Sequence, residues 1–182
     1  MRIRVALLST IAAVTLVAAG CSTSTNEAEN QTSANPESCA FDQSVDGVTA
    51  IGAGGEAPQL TVAADAKVPT ELQVIDLCTG LGVEVTTDDT VTVDYVGVGY
   101  KSREVFDSSY ERGQPATFPL SGVIPGWTQG VAGMKPGGAR LLLIPSDLAY
   151  GATGSPPAIE PDEALAFIVE LESVQSPSPA AS

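Results

Sequence analysis

Three cysteines and a complete absence of histidine define the covalent chemistry that this chain of 182 residues can perform. Without an imidazole, the chain cannot form a Ser-His or Cys-His catalytic pair or a histidine-ligated zinc site. A thiol can instead carry a lipid, join a disulfide or remain free. The thiols of Cys21, Cys39 and Cys78 therefore need separate interpretations.

Cys21 follows a segment, residues 1–20, that is typical of an export signal. Arg2 and Arg4 provide a positive start, and the 16 residues from 5 to 20 are uncharged and mostly apolar. That length is short for a transmembrane helix, which needs roughly 20 residues, and suits a signal peptide. The ending Ala18-Ala19-Gly20-Cys21 resembles a bacterial lipobox, so we expect cleavage before Cys21 and acyl chains, including palmitate, on its thiol. The alternative is an ordinary secretory signal cut after a small residue.

Residues 21–38 are almost entirely small and polar, so they predict a flexible tether between the lipid and a folded body. The body is acidic, since the chain has 22 acidic and 8 basic side chains and a net charge of −14. Anionic lipid headgroups and nucleic acid would both repel such a surface. We therefore expect a protein of the bacterial cell envelope that is exported, meets the membrane only through lipidated Cys21, and does not bind nucleic acid.

With Cys21 assigned to lipid, Cys39 and Cys78 are the two thiols left in an oxidising compartment, which favours a disulfide between them. Two buried free cysteines are the alternative. Between them, residues 45–48 and 59–62 are interpreted as short extended segments, broken by Gly52, by the glycines at 54–55 and by Pro58. Residues 39–67 are thus predicted to be an N-terminal extension fastened to a main domain at 68–174, with a disordered tail at 175–182.

The main domain contains four segments with strand patterns and one with a helix pattern. Residues 72–77, 91–96, 139–144 and 165–172 predict strands, the third buried and the last half-buried, and alternation places Val91, Val93 and Tyr95 on one face. A short helix is predicted from Pro125 or the next residue to about residue 133, because proline suits a helix start and Pro-Gly-Gly follows at 136–138. This composition of elements indicates an α+β fold with an antiparallel sheet.

Six motifs in residues 68–174 together resemble the FKBP-type peptidyl-prolyl cis-trans isomerases, in the order and at the spacing of that family. They are VDYVG at 93–97, VFDSS at 105–109, VIPGW at 123–127, GVAGM at 130–134, AYGATG at 149–154 and LAF at 165–167. The resemblance implies a curved antiparallel β-sheet wrapped around one short α-helix, in agreement with the predicted elements. It also implies a rotamase that acts on proline-containing polypeptides, can bind macrolide inhibitors, and needs no metal and no cofactor.

The resemblance assigns nine side chains to an apolar pocket. It implies that Trp127 is the floor on which a proline ring lies, and that the Tyr150 hydroxyl and the Ile124 N–H donate hydrogen bonds to substrate carbonyls. Asp107 either places its charge near the twisting carbonyl or holds Tyr95 and Arg112 in position. With Asp107, Tyr150 and Trp127 as the catalytic set, the remaining members bind substrate: Tyr95, Phe106, Val123, Ile124, Ile159 and Phe167.

Several positions depart from the family pattern at the rim of this pocket. Ala116 replaces a frequent aromatic residue, Ser155 and Ala158 replace a common histidine and isoleucine, and Glu160 stands where proline is frequent. These changes bear on substrate preference and macrolide affinity more than on activity. Two other functions remain open: a non-catalytic proline-binding or chaperone module on a lipid anchor, and a solute-binding lipoprotein, for which the chain is short.

Overall fold

The structure is a computed structural model that describes residues 39–53 and 55–177. The predicted signal peptide, Cys21 and the tether lie outside these ranges, as does the end of the predicted tail from residue 178. Within the described ranges, no helix has both the length and the apolar character needed to cross a membrane.

In the described residues, nine strands form two antiparallel sheets, and two short α-helices accompany them. The N-terminal sheet has the order β1-β2-β3 and comprises β1 (Ala40–Val45), β2 (Val48–Ala53) and β3 (Gln59–Val62). The helices are α1 (Ser109–Arg112) and α2 (Pro125–Val131). The main sheet is built from β4 (Gln73–Cys78), β5 (Thr90–Gly99), β6 (Val105–Ser108), β7 (Ala116–Pro119), β8 (Ala139–Ile144) and β9 (Leu165–Gln175). Its order is β4-β8-β9-β5-β6, and β7 also pairs with β5.

The four predicted strands of the main domain are confirmed, and α2 lies where the helix was predicted. Val91, Val93 and Tyr95 are buried on one face of β5, as the alternation requires. Pro125 occupies the first turn of α2, where its missing N–H costs no hydrogen bond. The helix ends two residues before the predicted limit, at Val131, because Ala132 already leaves the helical conformation.

The sequence analysis did not predict α1, which is a single helical turn. The Ser108 hydroxyl caps its start by accepting a hydrogen bond from the Glu111 N–H, and Gly113 ends it in the left-handed conformation. One turn is too short to produce a helical period in the sequence. For the site, the consequence of this turn is that Arg112, the last residue of α1, lies next to Tyr95 of β5.

The interpretation of residues 45–48 as an extended segment was wrong, because they form the tight turn between β1 and β2. Asp46 and Gly47 have φ angles of 50° and 85°, the left-handed pair that a two-residue hairpin needs. Gly52 does not break a strand either; it lies inside β2, opposite Phe41 of β1. Residues 59–62 form strand β3, as predicted.

The prediction that residues 165–172 are half-buried was also wrong over the first part of β9, where residues 165–169 are buried on both faces. One face packs towards α2, and the N-terminal sheet covers the other. A disulfide joins Cys39, just before β1, to Cys78 at the end of β4, with Cα atoms 5.9 Å apart. The apolar layer between the sheets contains Phe41, Val48, Ala50, Leu60 and Val62 from one side and Val96, Val98, Leu141, Leu143, Ala166 and Ile168 from the other.

Candidate functional site

A pocket of about 430 Å³ opens on the α2 side of the main sheet. Strands β5, β6, β7 and β9, the start of α2 and the loop between β8 and β9 all contribute to it. Two other cavities in the described residues are smaller, with volumes of about 180 and 130 Å³. Its lining consists of Tyr95, Phe106, Asp107, Phe118, Gly122, Val123, Ile124, Trp127, Tyr150 and Phe167.

Trp127 forms the centre of the pocket and is only 4% exposed. Three aromatic rings meet it edge to face: Tyr95 and Phe167 with centroids 5.3 Å away, and Phe118 at 5.8 Å. Phe106 in turn meets Phe167 edge to face at 5.5 Å. Such perpendicular pairs are a favoured geometry between aromatic quadrupoles, so the rings form a rigid apolar wall.

Gly97 of β5 allows two of these rings to meet. It lies opposite Asp107 of β6 on one side and Phe167 of β9 on the other. A Cβ atom at this position would lie 2.7 Å from the Phe167 ring and 2.8 Å from the Phe106 ring. A side chain here would therefore push both rings out of the pocket wall.

The acid of the pocket, Asp107, is held by two neighbours. The Tyr95 hydroxyl donates a 2.5 Å hydrogen bond to its Oδ2 atom, and the Arg112 guanidinium pairs with Oδ1. Arg112 also donates to the Tyr95 hydroxyl at 2.8 Å and lies over the Tyr95 ring, 5.2 Å from its centroid. Both carboxylate oxygens of Asp107 are thus engaged, which is the arrangement expected of the holding role.

This triad keeps the Tyr95 hydroxyl protonated. Burial raises the pKa of Tyr95 to about 12, and its hydrogen bond to Asp107 adds to the rise, against an opposing effect of Arg112. The pKa of the Arg112 guanidinium is raised as well, first of all by its hydrogen bond to Tyr95. The Tyr95 hydroxyl and the Arg112 guanidinium therefore both keep their charge state near neutral pH.

Two donors at the mouth of the pocket can bind a ligand. The Tyr150 side chain is 42% exposed, and it stands between the short 3₁₀ turns Ser146–Leu148 and Gly151–Thr153. Within the described residues, neither the Tyr150 hydroxyl nor the Ile124 N–H donates a hydrogen bond. An extended peptide in the pocket would supply the carbonyl oxygens that both groups lack.

The structure brings together eight of the nine predicted pocket residues. Ile159 is the exception: it is buried in the same apolar cluster as Trp127 but does not line the cavity. Sequence reasoning missed Phe118 and Gly122. Alternation along β7 puts Phe118 on the same face as Ala116 and could have found it, whereas nothing in the sequence marks Gly122. In the described part of the chain, no three His, Cys, Asp or Glu side chains are grouped as metal ligands.

Comparisons with known proteins agree on one family. The model of the FKBP-type peptidyl-prolyl cis-trans isomerases matches residues 82–172. A probable FK506-binding protein of Corynebacterium glutamicum is 45% identical over 103 residues, which cover 57% of this chain and 86% of the relative. The isomerase Mip of Coxiella burnetii is 50% identical over 104 residues, 57% of this chain but only 45% of that protein.

Solved structures show the same fold. The crystal structure of a peptidyl-prolyl cis-trans isomerase of Pseudomonas syringae matches with a TM-score of 0.53 and 37% identity, over 58% of this chain and 76% of that one. FkpA of Escherichia coli matches with a TM-score of 0.52 and 45% identity, over 59% of this chain and 48% of its own.

An antiparallel sheet around one short helix, with an aromatic pocket at the helix start, defines an FKBP-like isomerase domain. The chain belongs to the FKBP-type peptidyl-prolyl cis-trans isomerase family.

Proposed function

We propose that this protein accelerates rotation about X-Pro bonds in exported polypeptides, with the proline ring bound in the pocket against Trp127. The observation that carries the proposal is the dry aromatic wall around Trp127, which closes one side of a cavity large enough for a proline and its neighbours. Macrolide inhibitors would occupy the same cavity, with less apolar contact at the rim where Ala116 and Ala158 are small.

The chemistry asked of such a pocket is a rotation, and no covalent bond breaks. The barrier of roughly 18–20 kcal/mol arises from amide resonance, which separates charge between oxygen and nitrogen in the planar form. The twisted transition state loses much of that separation. An apolar pocket therefore solvates the planar amide poorly and destabilises the twisted amide less, which lowers the barrier.

Polar groups at the mouth orient the substrate in this mechanism. The Tyr150 hydroxyl and the Ile124 N–H donate hydrogen bonds to substrate carbonyls on either side of the proline. Asp107 holds the Tyr95 hydroxyl and the Arg112 guanidinium, and so fixes the Tyr95 ring, which contacts Trp127. No proton is transferred to or from the substrate.

A pH profile tests the absence of proton transfer. We expect kcat/KM in a protease-coupled peptide assay to be flat from about pH 6 to 9, without the bell shape of acid–base catalysis. The chain has no histidine, and the raised pKa of Tyr95, about 12, keeps its hydroxyl a donor throughout that range. A sharp titration near pH 7, or a large solvent deuterium effect, would contradict the mechanism. A protein that binds proline peptides without turnover would instead be a binding module.

The site of action is the second part of the proposal. We propose that the protein is exported and anchored in the bacterial cell envelope through acylated Cys21, as the small residues before this cysteine suggest. Two acyl chains supply the double signal that stable anchoring needs. Cys21→Ser should move the protein from the detergent phase to the aqueous phase on phase partition. Ser22→Ala is the matched control, and equal partition of the Cys21→Ser variant and the unmodified protein would reject the anchor.

A further inference from the structure

Glu163 is a buried carboxylate outside the pocket. It is 1% exposed and lies two residues before β9, at the end of the long connection from β8. A carboxylate removed from water is costly unless several donors satisfy it. Its contacts therefore show which parts of the chain it joins.

Three backbone N–H groups bind the two oxygens of Glu163. The Oε1 atom accepts from Lys101 at 3.0 Å and from Ser102 at 3.1 Å, both in the turn that connects β5 to β6. The Oε2 atom accepts from Glu160 at 2.7 Å, in the loop that precedes β9. The Lys101 ammonium also reaches across and donates to the Pro161 carbonyl. A single side chain thus ties the β5–β6 turn to the loop.

These donors keep Glu163 ionised. Burial alone would raise the pKa of Glu163, but the N–H groups of Glu160, Ser102 and Lys101 outweigh it and hold the pKa below the usual value. Hydrogen bonds to an ionised acceptor are stronger than neutral ones. The link between the turn and the loop is therefore a charge-assisted one at neutral pH.

The loop held in this way begins at Tyr150. Its backbone is closed on itself, since the Gly154 N–H donates to the Tyr150 carbonyl at 3.2 Å and the Asp162 N–H donates to the Gly151 carbonyl at 2.9 Å. Ser155 and Ile159 exchange two further backbone hydrogen bonds. These bonds connect Asp162, the neighbour of Glu163 in the chain, to Gly151, the neighbour of Tyr150.

The other end of the link lies next to the opposite side of the pocket. The β5–β6 turn leads directly into β6, which carries Phe106 and Asp107. We propose that Glu163 is a positioning residue for the isomerase reaction: it holds the Tyr150 loop against the β5–β6 turn, so that the Tyr150 hydroxyl faces the pocket. This inference rests on the proposed function, because it concerns the same site.

A double-mutant cycle between Glu163 and Tyr150 tests the inference. The Glu163→Gln substitution keeps the size of the side chain but replaces one acceptor oxygen by an amide NH₂ group, a donor that would face the backbone N–H groups. Tyr150→Phe should lower kcat/KM by about 5- to 30-fold, the scale of one hydrogen bond. Glu163→Gln should lower it by about 3- to 10-fold alone, and by less than about 2-fold in the Tyr150→Phe background.

The cycle separates positioning from a general structural effect. A purely structural loss would multiply equally in both backgrounds, so equal factors, or no loss in the single variant, would overturn the proposal. Glu104→Gln is the matched control, because it is the same change in the β5–β6 turn, and the Glu104 side chain has no ion pair or hydrogen bond within the described residues. This control should keep full activity.

Two further measurements separate the inference from the proposed function and from folding failure. If the unmodified protein lacks turnover, the proposed function fails. Fluorescence of Trp127, the sole tryptophan, then still measures whether Glu163→Gln weakens binding of a Leu-Pro tetrapeptide. Unchanged binding overturns the inference.

If Glu163→Gln does not fold, amide hydrogen exchange of the unmodified protein tests the link instead. Gly154 and Asp162 should exchange at rates within about tenfold of Lys101 and Ser102, as one cooperative unit. Much faster exchange of the loop amides would overturn the link.

Discussion

Trp127→Ala should remove most of the isomerase activity, with kcat/KM falling by about 100-fold or more. The indole is the shared neighbour of the Tyr95, Phe118 and Phe167 rings, and all three contacts disappear with it. Alanine would leave a void that water can enter from the open side of the pocket. Water would then solvate the planar amide, which is the state that the apolar wall disfavours. The same change should destabilise the fold by about 3–5 kcal/mol, as for other buried aromatic residues.

Because the variant loses both packing and stability, a control must separate the two effects. Phe41→Ala is suitable, since Phe41 is also buried, at 7% exposure, but lies in the N-terminal sheet on the opposite side of the main sheet. Activity and thermal unfolding are measured on both variants at a temperature at which both are folded. Phe41→Ala should lose stability and keep activity. A folded Trp127→Ala variant within a few-fold of normal activity would show that Trp127 is not the floor of the reaction site.

Deletion of residues 39–67 should abolish cooperative folding of the remaining domain. The N-terminal sheet covers Val96, Val98, Leu141, Leu143 and Ile168, which would otherwise form an apolar surface. Burying Phe41, Val48, Leu60 and Val62 contributes on the order of 10 kcal/mol, comparable with the total stability of a domain. The deletion also removes the disulfide, worth about 4 kcal/mol for a closed loop of this size.

Circular dichroism melts and binding of an apolar dye measure this loss. A fragment that begins at Cys39 is the first control and should melt like the full chain, because it keeps the whole N-terminal sheet. A double Cys39→Ser, Cys78→Ser variant of the full chain is the second, and it isolates the share of the disulfide. If the fragment beginning at Val68 melted cooperatively within a few degrees of the fragment beginning at Cys39, the N-terminal sheet would not be a necessary part of the core.

Sequence patterns predicted elements where burial is one-sided and local. The alternation of Val91, Val93 and Tyr95 arises because one face of β5 meets α2, so this strand and its face were predicted. In β9, the half-buried strand that was predicted would leave one face in solvent, but Ala166 and Ile168 on that face lie under the N-terminal sheet. Which distant segment covers a sheet depends on tertiary packing, and neither periodicity nor propensity encodes it.

The candidate site shows a similar division. Its predicted members came from family motifs, since aromatic residues in isolation are equally typical of a core. Phe118 escaped because it lies between two motifs, although β7 carries it to the pocket wall. Glu163 looks like its exposed neighbours Glu160 and Asp162 in the sequence. Only the fold shows that its carboxylate contacts the N–H groups of Lys101 and Ser102, which lie 62 and 61 residues earlier in the chain.

The position of the disulfide determines how the fold bears a mechanical load. Cys39 is the first described residue, and its partner Cys78 ends β4. Tension applied to the chain ahead of residue 39 passes through the sulfur bridge and continues from Cys78 towards the C-terminus. Residues 40–77, which include the whole N-terminal sheet and most of β4, lie in the closed covalent loop and bear none of it. A pull from the N-terminal side therefore cannot peel the N-terminal sheet away strand by strand.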